Sequence, residues 1–133
     1  MIPFLDLKSI NDQYRDELIE ACTRVIDSGW YIAGSELTQF EDSFANYCGT
    51  KYAIGVANGL DALALTLRAW KKIGKLKEGD EVIVPSNTYI ASILAISANN
   101  LTPVLVEPDL ATYNLCPIKT AKAITCKTGA ILP

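Results

Sequence analysis

Apolar positions in this chain first recur at helical spacing and then change rhythm. Ile10, Tyr14, Leu18, Cys22 and Val25-Ile26 stand about four residues apart, with acids and bases between them. Side chains four apart share one face of a helix, so the spacing predicts an amphipathic helix over 10–26, ended by Ser28-Gly29. Trp30-Tyr31-Ile32-Ala33-Gly34 then form a short apolar loop. A second helix is predicted with Ser35 as its N-cap and with Leu37, Phe40, Phe44 and Tyr47 on one face. Gly49 stands where a left-handed terminal residue suits.

Beyond Gly49 the stripe gives way to short runs. Residues 52–57 read as a buried strand, Asn58-Gly59 as a turn, and 61–73 as a helix with Leu63, Leu67 and Trp70 inward, closed by Gly74. After a polar loop, 81–85 read as a strand and 88–98 as a helix stopped by Asn99-Asn100. Residues 103–107 read as a third strand, 108–117 as an extended loop, 118–125 as a weak helix and 129–133 as a last apolar strand candidate. Strands alternating with helices build βαβ units, so the predicted class is α/β, a mostly parallel sheet with flanking helices. No repeat, low-complexity tract or internal domain boundary shows. A strand stopping at Pro133 would leave a sheet edge bare, so the expectation is a chain cut short of its domain's end.

A length of 133 residues is one domain's worth. A net charge of −3 with no Lys/Arg cluster argues against a nucleic-acid partner. Cys22, Cys48, Cys116 and Cys126 are scattered, without a CxxC pair and without any histidine. That pattern speaks against a metal site and against a disulfide framework, and predicts reduced core thiols in a cytoplasmic protein. Lack of histidine also removes Ser-His and Cys-His mechanisms from this chain. Met1-Ile2-Pro3-Phe4-Leu5-Asp6 has neither a basic leader nor an apolar core, so no signal peptide is expected. No stretch reaches the roughly 18 uncharged apolar residues of a membrane span.

Parallel sheets bind ligands at the carboxyl ends of their strands, in the loops that lead into helices. The loop Ala57-Asn58-Gly59-Leu60-Asp61-Ala62-Leu63 offers a glycine and free helix-start N–H groups to an anion such as phosphate. The same residues also read as an ordinary turn with Asp61 as helix cap, since a carboxylate beside a phosphate is unhelpful. The loop is neither a Walker motif nor GxGxxG, which weakens nucleotide readings. In the loop 85–92, Tyr89 either stacks on a flat heterocycle or packs in the core. Trp30 and Tyr31 are adjacent, so both cannot face one core. At least one of them faces a ligand, an interface or the protein's own surface.

Five blocks in order carry a family resemblance. They are Gly34-Ser35-Glu36-Leu37-Thr38-Gln39-Phe40-Glu41 with Phe44, then Asn58-Gly59-Leu60-Asp61-Ala62-Leu63, then Gly79-Asp80-Glu81-Val82-Ile83-Val84-Pro85, then Asn87-Thr88-Tyr89-Ile90-Ala91, and then the loop 107–117 around Thr112-Tyr113-Asn114. Together they resemble the DegT/DnrJ/EryC1/StrS family of sugar aminotransferases. The resemblance implies the aspartate aminotransferase-like fold of type I enzymes dependent on pyridoxal 5'-phosphate (PLP). Residues 1–133 would be the N-terminal portion of the PLP-binding large domain, with the rest of that domain and a small C-terminal domain beyond. It implies a cytoplasmic homodimer of deoxysugar and polysaccharide biosynthesis, moving an amino group from an amino acid, typically glutamate, onto a nucleotide-linked keto-sugar. The Gly59-Leu60-Asp61-Ala62-Leu63 form resembles the branch acting at C3 of dTDP-linked 3-keto-6-deoxyhexoses.

By the same resemblance, Gly59, Leu60 and Asp61 hold the cofactor phosphate through backbone N–H groups and Tyr89 stacks on the pyridine ring. Trp30 and Tyr31 belong to the sugar-nucleotide pocket. Leu60 stands where many members carry Thr or Ser, so backbone must do more here. The covalent lysine, the aspartate at the pyridinium nitrogen and a partner-subunit asparagine would lie beyond residue 133. None of the lysines here, Lys51, Lys71 and Lys122 included, matches the catalytic position, so this chain alone is expected to be inactive. A dehydratase with histidine in place of that lysine, and a non-catalytic regulator or sensor on the same fold, stay open.

Overall fold

The structure, a computed structural model, describes residues 4–133. The expectation placed on Met1-Ile2-Pro3 therefore lies outside the described residues. Although no internal boundary shows in the sequence, the chain divides into two compact units, Met1–Gly55 and Val56–Pro133.

The first unit carries α1 (Leu7–Asp12), α2 (Arg15–Ser28) and α3 (Ser35–Cys48). The single helix expected over 10–26 is thus two. Tyr14 leaves helical geometry at φ −120°, ψ 16°. Its N–H closes a tight turn on the Asn11 carbonyl at 3.0 Å, and its own carbonyl accepts from Leu18 at 2.9 Å to start α2. A four-residue apolar spacing survives such a break, so periodicity cannot report it. Asp6 caps α1 by accepting the Ser9 N–H at 3.0 Å and the Ser9 hydroxyl at 2.7 Å. Those bonds to the ionised form hold the Asp6 carboxyl below the usual carboxylate range.

Gly29 and Gly49 end their helices left-handed, at φ 67° and 66°. The start of α3 corrects the sequence reading: Gly34 is the N-cap and Ser35 lies inside the helix. A Cβ at Gly34 would sit 3.1 Å from the Trp30 carbonyl and 3.2 Å from its ring, a tight contact that would oblige Trp30 to give by a few tenths of an ångström.

Residues 52–57 form no strand, and Tyr52 and Ile54 are exposed. Strand conformation needs a ladder partner, and none of the described strands pairs with this segment. Gly55 instead donates its N–H to Glu41 Oε1 at 2.6 Å, and a Cβ there would overlap Leu37 Cδ1.

The second unit carries α4 (Gly59–Lys72), β1 (Glu81–Pro85), α5 (Ile90–Ser97), β2 (Thr102–Val106), α6 (Pro117–Ala123) and β3 (Thr128–Ile131). Its parallel three-stranded sheet runs β2-β1-β3. Central β1 is covered on both faces, which is why it reads as the unbroken apolar run Val82-Ile83-Val84, with all three side chains fully buried. Leu67 from α4 and Ala95 and Ile96 from α5 pack over it with Leu76 and Leu101. Buried Asn99 both stops α5 and ties it to α4. Its amide donates to the Ala95 and Ala64 carbonyls at 2.8 and 3.0 Å, while Lys71 Nζ donates to its carbonyl at 2.6 Å.

The cysteines correct a second expectation. Only Cys116 is buried, whereas Cys22, Cys48 and Cys126 are exposed. Cys22 and Cys48 lie on helices of a unit whose described residues bury little beyond Ala45. No described helix is long and apolar enough to cross a membrane.

Candidate functional site

The second unit brings the two singled-out loops together. At the start of α4, Asn58 rather than Asp61 is the N-cap: its side-chain oxygen accepts the Asp61 N–H at 2.9 Å. Its amide donates to Asp61 Oδ2 at 3.0 Å, so the Asp61 carboxylate is held on Asn58. This reciprocal pair resembles a capping box, except that the Asp61 carboxylate accepts from the Asn58 side-chain amide and not from its backbone N–H, and the Asn58-x-x-Asp61 spacing is its sequence signal. It changes the anion-donor set expected from sequence. The Asp61 N–H is engaged by Asn58, and the Ala62 N–H closes the first helical bond on the Asn58 carbonyl at 3.1 Å. Among the described residues, the N–H groups of Gly59 and Leu60 carry no hydrogen bond. Open space lies over Gly59, where a Cβ would meet nothing within 4 Å.

Tyr89 is the N-cap residue of α5, at φ −67°, ψ 143°, and is 80% exposed. Within this chain its ring therefore lies outside the core. The loop beneath it is braced. Ser86 extends the ladder by donating to the Val106 carbonyl at 2.9 Å, Thr88 N–H bonds the Pro85 carbonyl at 3.2 Å, and the Thr88 and Ser92 hydroxyls bond each other at 3.1 Å. Asn87 Nδ2 reaches across to the Tyr113 carbonyl at 3.2 Å, holding the 109–114 loop against this one. Tyr113 has φ 59°, a left-handed backbone that bulky residues rarely adopt. Only the tertiary structure could report that bond, because its partners are far apart in sequence.

A cavity of about 850 Å³ opens between the two loops, walled by Asn58, Gly59 and Leu60 on one side and by Tyr89 and Ser92 on the other. Its walls are otherwise apolar. Of the expected cofactor residues, Gly59, Leu60 and Tyr89 line it, while Asp61 does not. No lysine is among its lining residues. The cavity can take a flat apolar ring with an anionic tail: a helix start with free N–H groups at one end, an exposed aromatic ring at the other.

Trp30 and Tyr31 belong to the first unit, and both are exposed. The Trp30 indole N–H donates to the Ile32 carbonyl at 2.7 Å within their loop. Ala33 is left-handed at φ 51°. Arg24 of α2 grips Glu36 of α3 fork to fork, Nε to Oε1 at 2.8 Å and Nη2 to Oε2 at 3.2 Å. That pairing raises the Arg24 pKa and lowers that of Glu36.

Residues 12–133 match the DegT/DnrJ/EryC1/StrS aminotransferase family. Over 132 residues the chain is 64% identical to the dTDP-3-amino-3,6-dideoxy-alpha-D-galactopyranose transaminase of Aneurinibacillus thermoaerophilus, covering 99% of this chain and 35% of that protein. The fold superposes on DesV of S. venezuelae, solved in complex with a ketimine intermediate, with a TM-score of 0.91 at 52% identity, over 99% of this chain and 34% of that one. NtdA from Bacillus subtilis, with bound cofactor PMP, matches with a TM-score of 0.86 at 34% identity, over 99% of this chain and 30% of that one. The chain thus spans about a third of the length of the curated relatives it matches.

Proposed function

This chain belongs to the DegT/DnrJ/EryC1/StrS aminotransferase family, and we propose that the whole protein moves an amino group from an amino acid, glutamate, to a dTDP-linked 3-keto-6-deoxyhexose with PLP as cofactor. In this reading residues 1–133 are the N-terminal portion of the PLP-binding large domain. The protein acts as a homodimer in the cytoplasm and supplies an aminodeoxysugar for polysaccharide biosynthesis. The observation that carries the proposal is the cavity itself, where unbonded Gly59 and Leu60 N–H groups and the exposed Tyr89 ring share one space.

The residues present fit the cofactor. Gly59 and Leu60 N–H groups would donate to the phosphate at the positive end of α4, and the open space at Gly59 would let the anion approach. Asp61 belongs to the phosphate-binding turn in a supporting way, because Asn58 holds its carboxylate off the anion. Leu60 brings no hydroxyl, so backbone N–H groups carry the contact. Tyr89, on its braced loop, would stack on the ring. PLP, when bound, supplies an electron sink for bonds at the amino-bearing carbon. Trp30 and Tyr31 contribute to the sugar-nucleotide pocket. The lysine that carries the cofactor covalently lies outside residues 1–133, and the 133-residue chain by itself is inactive.

Two measurements on the complete protein test this. Borohydride reduction of the PLP-loaded protein should label one lysine outside residues 1–133. Labelling of Lys51, Lys71 or Lys122 would overturn the assignment. Supplied with ¹⁵N-glutamate and the dTDP-3-keto-sugar, the protein should place ¹⁵N on the sugar. A deoxygenated sugar without nitrogen would make it a dehydratase, and no turnover with retained sugar binding a sensor.

A further inference from the structure

The loop holding Trp30 and Tyr31 is short, and its shape is set by three linked devices. Gly29 turns left-handed at φ 67°, and the Trp30 N–H bonds the Ser28 hydroxyl at 3.1 Å. The Trp30 indole folds back to bond the Ile32 carbonyl at 2.7 Å, and Gly34 packs closely on Trp30, where an added Cβ would stand 3.1 Å from its carbonyl and 3.2 Å from its ring. Outside the loop, Arg24 on α2 and Glu36 in the first turn of α3 close its two ends with a bidentate pair, and Glu20 adds a second carboxylate 3.4 Å from Arg24 Nη1. The Trp30 N–H groups are thus both engaged, one by Ser28 at the end of α2 and one by Ile32 within the loop. Tyr31, its neighbour, is exposed and free to meet a ligand.

We propose that Arg24, Glu36 and Trp30 are positioning residues whose bonds hold the 29–34 loop in one shape, so that Tyr31 meets the nucleotide-sugar without first being ordered. The proposal rests on the reading of this loop as part of the sugar-nucleotide pocket, and it divides the two aromatics: Trp30 is the scaffold and Tyr31 the contact. A planar guanidinium clamped fork to fork restricts the helix ends far more than a lysine would, because one ammonium makes no matched pair of parallel bonds. Preorganisation of this kind acts chiefly on binding and much less on the chemical step.

The test uses the complete protein labelled with 5-fluorotryptophan, the Trp30 ¹⁹F resonance being assigned by its loss in Trp30→Phe. Arg24→Ala should raise KM for the nucleotide-sugar about three- to tenfold, the cost of ordering one or two side chains, with a smaller effect on kcat. The same substitution should shift or broaden the Trp30 resonance. Arg24→Lys should recover only part of both effects. Lys8→Ala breaks a comparably short exposed ion pair with Asp12 and should change neither. An unmoved resonance and unchanged KM in Arg24→Ala, with KM raised in Tyr31→Ala, would overturn the positioning role while leaving the loop in the pocket. A moved resonance with KM unchanged in both Arg24→Ala and Tyr31→Ala would instead remove the loop from the pocket, and the proposal with it.

Discussion

Tyr89 and Gly59 act on the same cavity by different physics, and their substitutions separate cofactor binding from folding. The Tyr89 ring is exposed, so its removal should cost the fold little. Loss of an aromatic stack is worth about 0.5–1.5 kcal/mol, which corresponds to about two- to tenfold in PLP affinity. Tyr89→Phe should therefore retain cofactor in equilibrium dialysis while Tyr89→Ala releases it. Equal retention by both would deny the stack. At Gly59 a methyl group meets no protein atom, so Gly59→Ala should leave thermal stability unchanged or raise it by up to about 1 kcal/mol. The same methyl stands in the space before the free N–H groups, so PLP affinity should fall. A variant both stabler and fully loaded would show that no anion approaches this glycine.

At the scale of elements, the start of α4 shows how a short motif can be misjudged. Asp61 looks like the cap by residue type, yet Asn58 precedes the helix and has both an acceptor for the Asp61 N–H and a donor for its carboxylate. Asn58→Ala should cost about 1 kcal/mol of stability as a lost N-cap. Asn58→Asp keeps the acceptor but loses the amide that restrains Asp61, placing two carboxylates at the anion cradle. Stability should change little while PLP affinity drops sharply. If both variants lose stability and affinity in proportion, Asn58 serves the helix alone. The strand expected over 52–57 fails for a reason of the same scale: apolar, β-branched composition suits a strand, but pairing is decided by whatever lies alongside.

At the scale of the whole chain, acid should act on identifiable closures of the first unit. The two carboxyls held below their ordinary range, Asp6 by hydrogen bonds from Ser9 and Glu36 by Arg24, both lie in the first unit. A depressed folded-state pKa contributes stability in full above the unfolded value, about 4 for carboxylates, and loses it as pH falls through the folded value. Acidification below about pH 4 should therefore loosen the start of α1 and the α2–α3 closure. Hydrogen exchange resolved to peptides 7–36 and 81–106 would check this. A carboxyl ¹³C titration should also place the Glu36 midpoint higher in Arg24→Ala than in the parent, and identical midpoints would mean the fork is absent in solution.

Much of this molecule is written in local pattern. Val82-Ile83-Val84 announces a central parallel strand because burial on both faces demands an unbroken apolar run, and the strand 81–85 falls where that run predicts. Gly29 and Gly49 announce helix ends because few other residues tolerate the left-handed backbone. The α/β class follows from the order of such elements, and the family from five blocks in register. Tertiary structure alone decided which side chains each local choice would meet. It decided that Asn58 would engage the Asp61 carboxylate and that Asn87 would reach the Tyr113 carbonyl. In this chain it leaves the Tyr89 ring outside the core and Cys22 and Cys48 exposed. Periodicity reports a residue's face on its own element, whereas hydrogen-bond partners and exposure depend on surfaces brought together from distant parts of the chain.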